Sequence, residues 1–338
     1  MILKNRFFIS LFILGLSFFN IHANVRIGIV TAWNYVGDRE TAWRIKIGGE
    51  SLGWTMILDE DEGRQVQNME DLDLVICMLP INEFTNPYCP NYQMIFHPFW
   101  YLDDERKIAP FYEKYDGYLL TINDRKTLED GLRLKNKDFH FVPFYPSVHN
   151  VPYRELALNN LMTMIPTWGD RLDGEEYKRL YKLLSRTGLV TFYGVHKNEH
   201  IIEQGYMGPI PFDGVSVIDI LQRHGIALVI HSDIHNRECI PTSRIFEAAA
   251  ASTVIICDEN SFVKEHFGDS VFYIDTTLSA DGMFDQIQAH LKSIYEHPKE
   301  ALEKAKAAHQ IFIEKFEMSD QLRKLELLNR EVISKKNG

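Results

Sequence analysis

The sequence predicts an α/β protein of two domains in series, followed by a helical tail. Three observations carry that expectation. Short apolar runs such as Ile226 to Ile230 and Val254 to Cys257 are too continuous to alternate between core and water, so they suit a parallel sheet covered on both faces. At 338 residues the chain exceeds the roughly 100–200 residues of a typical domain. The passage Pro143 to Pro152, PFYPSVHNVP, carries three prolines where one α/β series ends and another begins, and reads as a hinge.

Residues 1–23 stand apart from this rhythm. Lys4 and Arg6 precede the apolar run Phe7 to Phe19, and Ile21-His22-Ala23 ends in a small residue before Asn24. This is the pattern of an export signal, cleaved or retained as an anchor. It places the chain in the secretory pathway or cell envelope, with membrane association through residues 1–23.

From Val25 the first series runs as strand Val25 to Val30, loop Thr31 to Gly37, and a helix that Asp38 caps and that continues towards Gly53. Strands are expected at Met56–Leu58, Leu72–Met78, Met94–His97, Tyr118–Ile122 and Phe139–Phe144, with proline-rich connections and a solvated acidic run at Asp59 to Glu62. Domain one therefore spans 24–150. The second series, 151–310, starts with a strand at Leu161–Pro166, a polar loop at Trp168–Gly174 and a helix at Glu175–Thr187 with Tyr177, Leu180, Tyr181 and Leu184 on one face. A strand at Leu189–Val195 follows, then a helix from Ser216 that Gly225 terminates, and a last short helix and strand at Ser261–His266 and Val271–Ile274. Apolar residues three and four apart, broken at Pro298, make the end of the chain helical, with a tail over 311–338 whose last helix Ser319 caps.

Composition narrows the function classes. An apolar fraction of 45% with 12% aromatics supports two cores and excludes a largely disordered chain. A net charge of −11 argues against nucleic acid as a partner. The four cysteines, Cys77, Cys89, Cys239 and Cys257, form neither a dense disulfide framework nor a closely spaced metal pair, and Cys77 and Cys257 read as small hydrophobes in buried strands.

The stretch Ile226 to Asp258 holds the densest chemistry. An apolar strand leads into a loop crowded with His231, Ser232, Asp233, His235, Asn236, Arg237 and Glu238, then a small-residue helix, then a second apolar strand. Ligands of parallel sheets sit at the carboxyl ends of the strands, which is where this loop falls. Pro241, Arg244, Phe246, Glu247, Ala248, Ala250 and Ala251, followed by VIICDE and FGDSVFYID, resemble the donor-binding domain of GT-B glycosyltransferases of the group 1-like kind. The resemblance covers the chain from about Leu156. It implies two Rossmann-like domains facing each other across a cleft, with the first on the acceptor side and the second binding a nucleotide sugar.

What this implies for individual residues agrees with their chemistry. Glu247, an acceptor of charge-assisted hydrogen bonds, suits the ribose diol. The helix begins near Ser243, so its amides and positive dipole end meet a diphosphate, to which Arg244 adds a bidentate donor. Gly169 and Arg171 after the first strand of this domain, and Gly194 and Lys197 after the second, are further donor-side candidates. His231 ends the third strand beside the cleft and is a catalytic candidate, as is Asp38 on the acceptor side if a general base is needed. Many retaining members carry a second glutamate eight positions before the helix glutamate, where this chain has Cys239 with Glu238 next to it. A glycine common near the helix end is Ser252.

No cofactor is expected beyond the nucleotide-sugar substrate, and no metal, because helix amides and cations can stabilise a leaving diphosphate. Asp71-Leu72-Asp73 has the spacing of a cation-binding acidic pair but stands at a strand's entry. The acceptor is a glycan, lipid or protein. The competing reading is an exported two-lobed solute-binding protein without catalytic activity. It explains the export segment well but gives no reason for Arg244 and Glu247 on an alanine helix.

Overall fold

The computed structural model describes residues 25–32, 36–78, 84–95, 112–121, 125–166, 170–194 and 201–338. The export segment 1–23 lies outside them, and no described helix is long and apolar enough to cross a membrane.

The first domain contains β1 (Arg26–Val30), α1 (Val36–Ser51), β2 (Thr55–Asp59), β3 (Leu74–Cys77), β4 (Asn91–Ile95), β5 (Gly117–Leu120), α2 (Arg125–Arg133) and β6 (Phe141–Pro143). Its sheet has the order β2-β1-β3-β4-β5-β6 with every pair parallel. The fully buried runs Leu74–Cys77 and Gly117–Leu120 show why these segments read as continuous apolar stretches: the sheet is covered on both faces.

The second domain contains β7 (Asn160–Met164), α3 (Asp170–Asp173), α4 (Glu175–Ser185), β8 (Val190–Tyr193), α5 (Ser216–His224), β9 (Gly225–Val229), α6 (Asp233–Arg237), α7 (Ser243–Ala250), β10 (Val254–Asp258), α8 (Ser261–Phe267), β11 (Phe272–Ile274), α9 (Ala280–Glu296) and α10 (Pro298–Lys315). Its parallel sheet runs β11-β10-β9-β7-β8. After β8 the chain crosses to the other side of β7, so the loops after β7 and β9 diverge and leave a crevice between them. The first sheet has the same reversal at β1, between β2 and β3. Both switch points lie at carboxyl strand ends, where a ligand is expected.

The last helix, α11 (Met318–Asn337), returns to the first domain. Met318, Leu322, Leu325 and Leu328 enter the core beside β1 and β3, each contributing roughly 1.5–3 kcal/mol of burial. Tyr92 Oη donates to Asn329 Oδ1 at 2.9 Å, and the Tyr145 amide donates to Gln321 Oε1 at 2.6 Å. The helical tail therefore straps the two domains together.

Several local expectations are corrected. Asp59 is buried rather than solvated, because its carboxylate accepts the amides of Asp61, Gln65 and Val66 where β2 turns away. Residues Asp170–Asp173 form a helical turn in place of a loop. The α11 cap is Glu317, whose side chain accepts from the Asp320 amide, and Ser319 lies inside the helix. The prolines of 143–152 do not make a loose hinge. Tyr145 packs its ring 5.8 Å from Phe246, 5.3 Å from Phe262 and 5.4 Å from Phe316, so this passage is a packed seam.

Candidate functional site

The crevice of the second domain is framed by α3 after β7 and by the chain from His231 to Ser243 after β9. Helix α7 starts at Ser243 behind Thr242, whose extended backbone is that of an N-cap but whose hydroxyl makes no capping bond. The Ile245 amide donates to the Thr242 carbonyl oxygen at 3.3 Å, and the amides of Ser243 and Arg244, with no such bond among the described residues, are open to a ligand. From Ile245 to Ala251 the helix is buried, and Ala248 to Ala251 are wholly inaccessible, as close seating on the sheet requires.

Two guanidinium groups crowd this helix end. Arg171 is buried; its Nη1 donates to the carbonyl oxygen of Ile230 at the end of β9, and its Nε is buried without a hydrogen-bond partner among the described residues. Arg244, on the first turn of α7, is half-buried and makes no hydrogen bond or ion pair among the described residues. Burial, and then the positive charge of Arg171, push the Arg244 pKa down to about 10. Two neighbouring cations, whose repulsion the Glu247 carboxylate only partly offsets at Arg244, form a site that an anion would relieve. The Ser243 side chain stands half-buried at the same helix end. Gly194 ends β8 with φ 153°, and a Cβ there would lie 2.9 Å from the Ile165 carbonyl oxygen, so the close approach of these two strand exits requires glycine. Gly169 and Lys197 lie outside the described residues.

Glu247 is buried one turn into α7, and its Oε1 accepts from Arg44 Nη2 at 2.8 Å. Arg44 belongs to α1 of the first domain, so this ion pair crosses between domains. The same Nη2 donates to Glu40 Oε1 at 2.7 Å, and Glu40 Oε2 accepts the Gly214 amide at 3.1 Å. Burial alone would lower the Arg44 pKa, but Glu247 and Glu40 outweigh it and hold it above its ordinary value. Arg44 is not among the residues the sequence singles out, whereas Glu40, with Asp38 and Arg39, follows the loop expected to face the cleft on the acceptor side. The available signal was a charged pair at i, i+4 beside Ala42 and Ile45 on one apolar face.

The crowded loop after β9 is largely committed to holding itself. His231 and Asp258, at the ends of adjacent strands, are both wholly buried; the ring Nδ1 lies 2.7 Å from Asp258 Oδ1, and the His231 amide donates to the same oxygen at 3.0 Å. Asn236 Nδ2 donates to Asp258 Oδ2 at 2.7 Å, and Asn260 Nδ2 to Asn236 Oδ1 at 2.8 Å. Ser232 caps α6. His231 Nε2 is buried and has no hydrogen-bond partner among the described residues, and the ring does not reach solvent. His231, Cys257 and Asp258 come close enough to be read as a ligand set, yet the hydrogen bonds among them account for that closeness.

In the first domain, Asp38 lies in the first turn of α1, after the switch point at β1, six residues before Arg44. It is buried without a hydrogen-bond partner among the described residues, and burial pushes its pKa up to about 7. A carboxyl that exchanges protons near neutrality has the property a general base needs.

Residues 168–326 match the glycosyl transferase-like family. No curated protein sequence matches the chain. Among solved structures, a glycosyltransferase from Rickettsia africae is 12% identical with a TM-score of 0.57, covering 92% of this chain and 99% of its own. Sucrose-phosphate synthase from Thermosynechococcus elongatus is 9% identical with a TM-score of 0.58 at the same coverages. HepE of Anabaena, solved with UDP and glucose, is 9% identical with a TM-score of 0.54, covering 94% of this chain and 100% of its own. The fold is therefore GT-B, and residues 168–326 are similar to the glycosyl transferase-like family.

Proposed function

We propose that this protein transfers a sugar from a nucleotide-diphosphate sugar to a glycan, lipid or protein acceptor without a metal ion, at the secretory pathway or cell envelope. The observation that carries the reading is the uncapped start of α7 flanked by Arg171 and Arg244, with Glu247 one turn further on. A diphosphate meets helix amides and two guanidinium groups, and an adjoining ribose meets a carboxylate. The same guanidinium groups would offset the charge that develops on the leaving diphosphate, which is the task a metal performs elsewhere. HepE, a structural neighbour, is described with UDP and glucose, which agrees with a nucleotide-diphosphate donor. The matched family and the neighbouring structures favour transfer over the solute-binding reading.

The test is a thermal-shift panel of UDP, GDP, ADP and inorganic pyrophosphate against free sugars and amino acids, with and without a chelator. Stabilisation by nucleoside diphosphates, unchanged by the chelator and weakened in Glu247→Ala, is expected. Stabilisation by free sugars or amino acids alone would sink the assignment.

A further inference from the structure

Arg44 is a costly residue to build into this protein. It is 1% exposed, lies at the seam between two domains, and is ion-paired to both Glu40 and Glu247. A buried ion pair is weak evidence for stability, because desolvation of the charges offsets most of their attraction. The hydrogen-bond geometry points the same way. Both carboxylates bond to one nitrogen, Nη2, while Nε and Nη1 are buried with no hydrogen-bond partner among the described residues. A side chain retained only to hold the domains together would have its fork of donors satisfied.

Glu247 shows the complementary asymmetry. Its Oε1 is taken by Arg44, whereas its Oε2 has no hydrogen-bond partner among the described residues. A carboxylate anchored through one oxygen is fixed in rotation and offers the other oxygen in a defined direction. Glu40 braces the anchor from behind: it holds Arg44 through Oε1 and the Gly214 amide, ahead of α5, through Oε2.

We propose that Arg44, supplied by the first domain, is a positioning residue for donor recognition in the second: by holding Glu247 Oε1 it sets the carboxylate to accept the donor's ribose hydroxyls. The proposal rests on the donor reading given above and adds that ribose selection depends on both domains. Among the described residues no hydrogen bond links Arg44 to Arg171, Arg244 or the α7 amides, and its charge acts on Arg244 less than those of Arg171 and Glu247 do.

The separation of ribose from diphosphate makes this testable. Binding of UDP, 2′,3′-dideoxy-UDP and inorganic pyrophosphate would be measured by calorimetry on the wild type, Arg44→Met, Arg44→Lys, Glu247→Ala and the double variant Arg44→Met/Glu247→Ala. Arg44→Met should weaken UDP by ~10-fold, leave pyrophosphate within about twofold, and bring the preference for UDP over the dideoxy analogue close to one. The double variant should bind UDP no more weakly than Glu247→Ala, because both changes remove the same interaction. Arg44→Lys, which keeps the charge but not the fork, should lose part of the ribose preference, and it carries the test if Arg44→Met does not fold. An unchanged ribose preference in the folded Arg44 variants overturns the proposal, as does an equal loss of pyrophosphate. Failure of the wild type to bind any nucleoside diphosphate overturns the donor reading itself, which is a distinct result.

Discussion

His231 Nδ1 lies 2.7 Å from Asp258 Oδ1, and neither side chain reaches solvent. Burial alone would raise the Asp258 pKa, but the His231 ring, Asn236 and the His231 amide outweigh it and hold the carboxyl at about 2, against an ordinary 3.8. A carboxyl depressed on folding stabilises the native state above its unfolded pKa. That contribution is therefore complete above about pH 4 and is lost as pH falls towards 2, amounting to roughly 2–3 kcal/mol. Asp258→Ala would strand the His231 ring, its amide and Asn236, so it should cost at least as much at neutral pH. Denaturant titrations of both proteins between pH 2 and 7 check this. A wild-type stability that does not fall below pH 4, or an Asp258→Ala variant as stable as the wild type, would refute it.

Asp38 has the opposite sign. Its folded pKa, about 7, lies above the ordinary 3.8, so the native state holds a proton that the unfolded chain gives up. Stability should decline as pH rises from about 4 to about 7, by at most about 4 kcal/mol, and Asp38→Asn should flatten the decline. If Asp38 is the acceptor-side base, transfer should rise through pH 7 and fall by on the order of 100-fold in Asp38→Asn. A pH–rate profile of transfer, set beside the stability profile, separates base catalysis from mere burial: a variant that flattens stability yet keeps full activity removes Asp38 from catalysis.

The paired cations at α7 predict a salt-sensitive anion site. Arg244→Ala and Arg171→Ala should each weaken pyrophosphate by roughly 10- to 100-fold, the range of a hydrogen bond to a charged group. Arg171→Ala should also lower stability, since it removes the bond to the Ile230 carbonyl oxygen; Arg244, which has no hydrogen bond to lose among the described residues, should not. Calorimetry at two ionic strengths is the measurement, and pyrophosphate affinity indifferent to both substitutions would show that the anion sits elsewhere.

These outcomes also show which parts of the site the sequence could reveal. Strand runs such as Val254–Asp258 were legible because a sheet covered on both faces forces unbroken apolar stretches. Arg244 and Glu247 were legible because they sit on a short helix with a recognisable small-residue pattern. Arg44 was not, because its partner Glu247 is 203 residues away and only the docking of two domains brings them together. The polar crowding after β9 was visible, but its purpose was not: Asp258 and Asn260, which absorb much of it, follow α7 in sequence. Asp59 read as surface because three backbone amides that satisfy it leave no trace in residue type.

Ser252 and Cys239 stand where the GT-B resemblance implies a glycine and a glutamate in many members, and both have left-handed backbone, with φ 65° and 54°. The first substitution thus has a conformational reading. A side chain in this region costs about 1 kcal/mol, which glycine would recover. Ser252 offsets that cost through its hydroxyl, which accepts the Arg154 amide at 3.2 Å and lies 3.5 Å from His309 Nδ1. Ser252→Gly exchanges relief of strain for a lost hydrogen bond of similar size, so its stability should lie within about 0.5 kcal/mol of the wild type. Ser252→Ala keeps the strain and loses the bond, and should be less stable by roughly 1–2 kcal/mol. Cys239 sets a contact from Sγ to the Asn236 carbonyl oxygen, 3.9 Å, against its strain, so any gain in Cys239→Gly should not exceed about 1 kcal/mol. Urea midpoints of the three variants decide the matter. Equal destabilisation of Ser252→Gly and Ser252→Ala would mean that the hydroxyl, and not the backbone angle, sets the residue at this helix end.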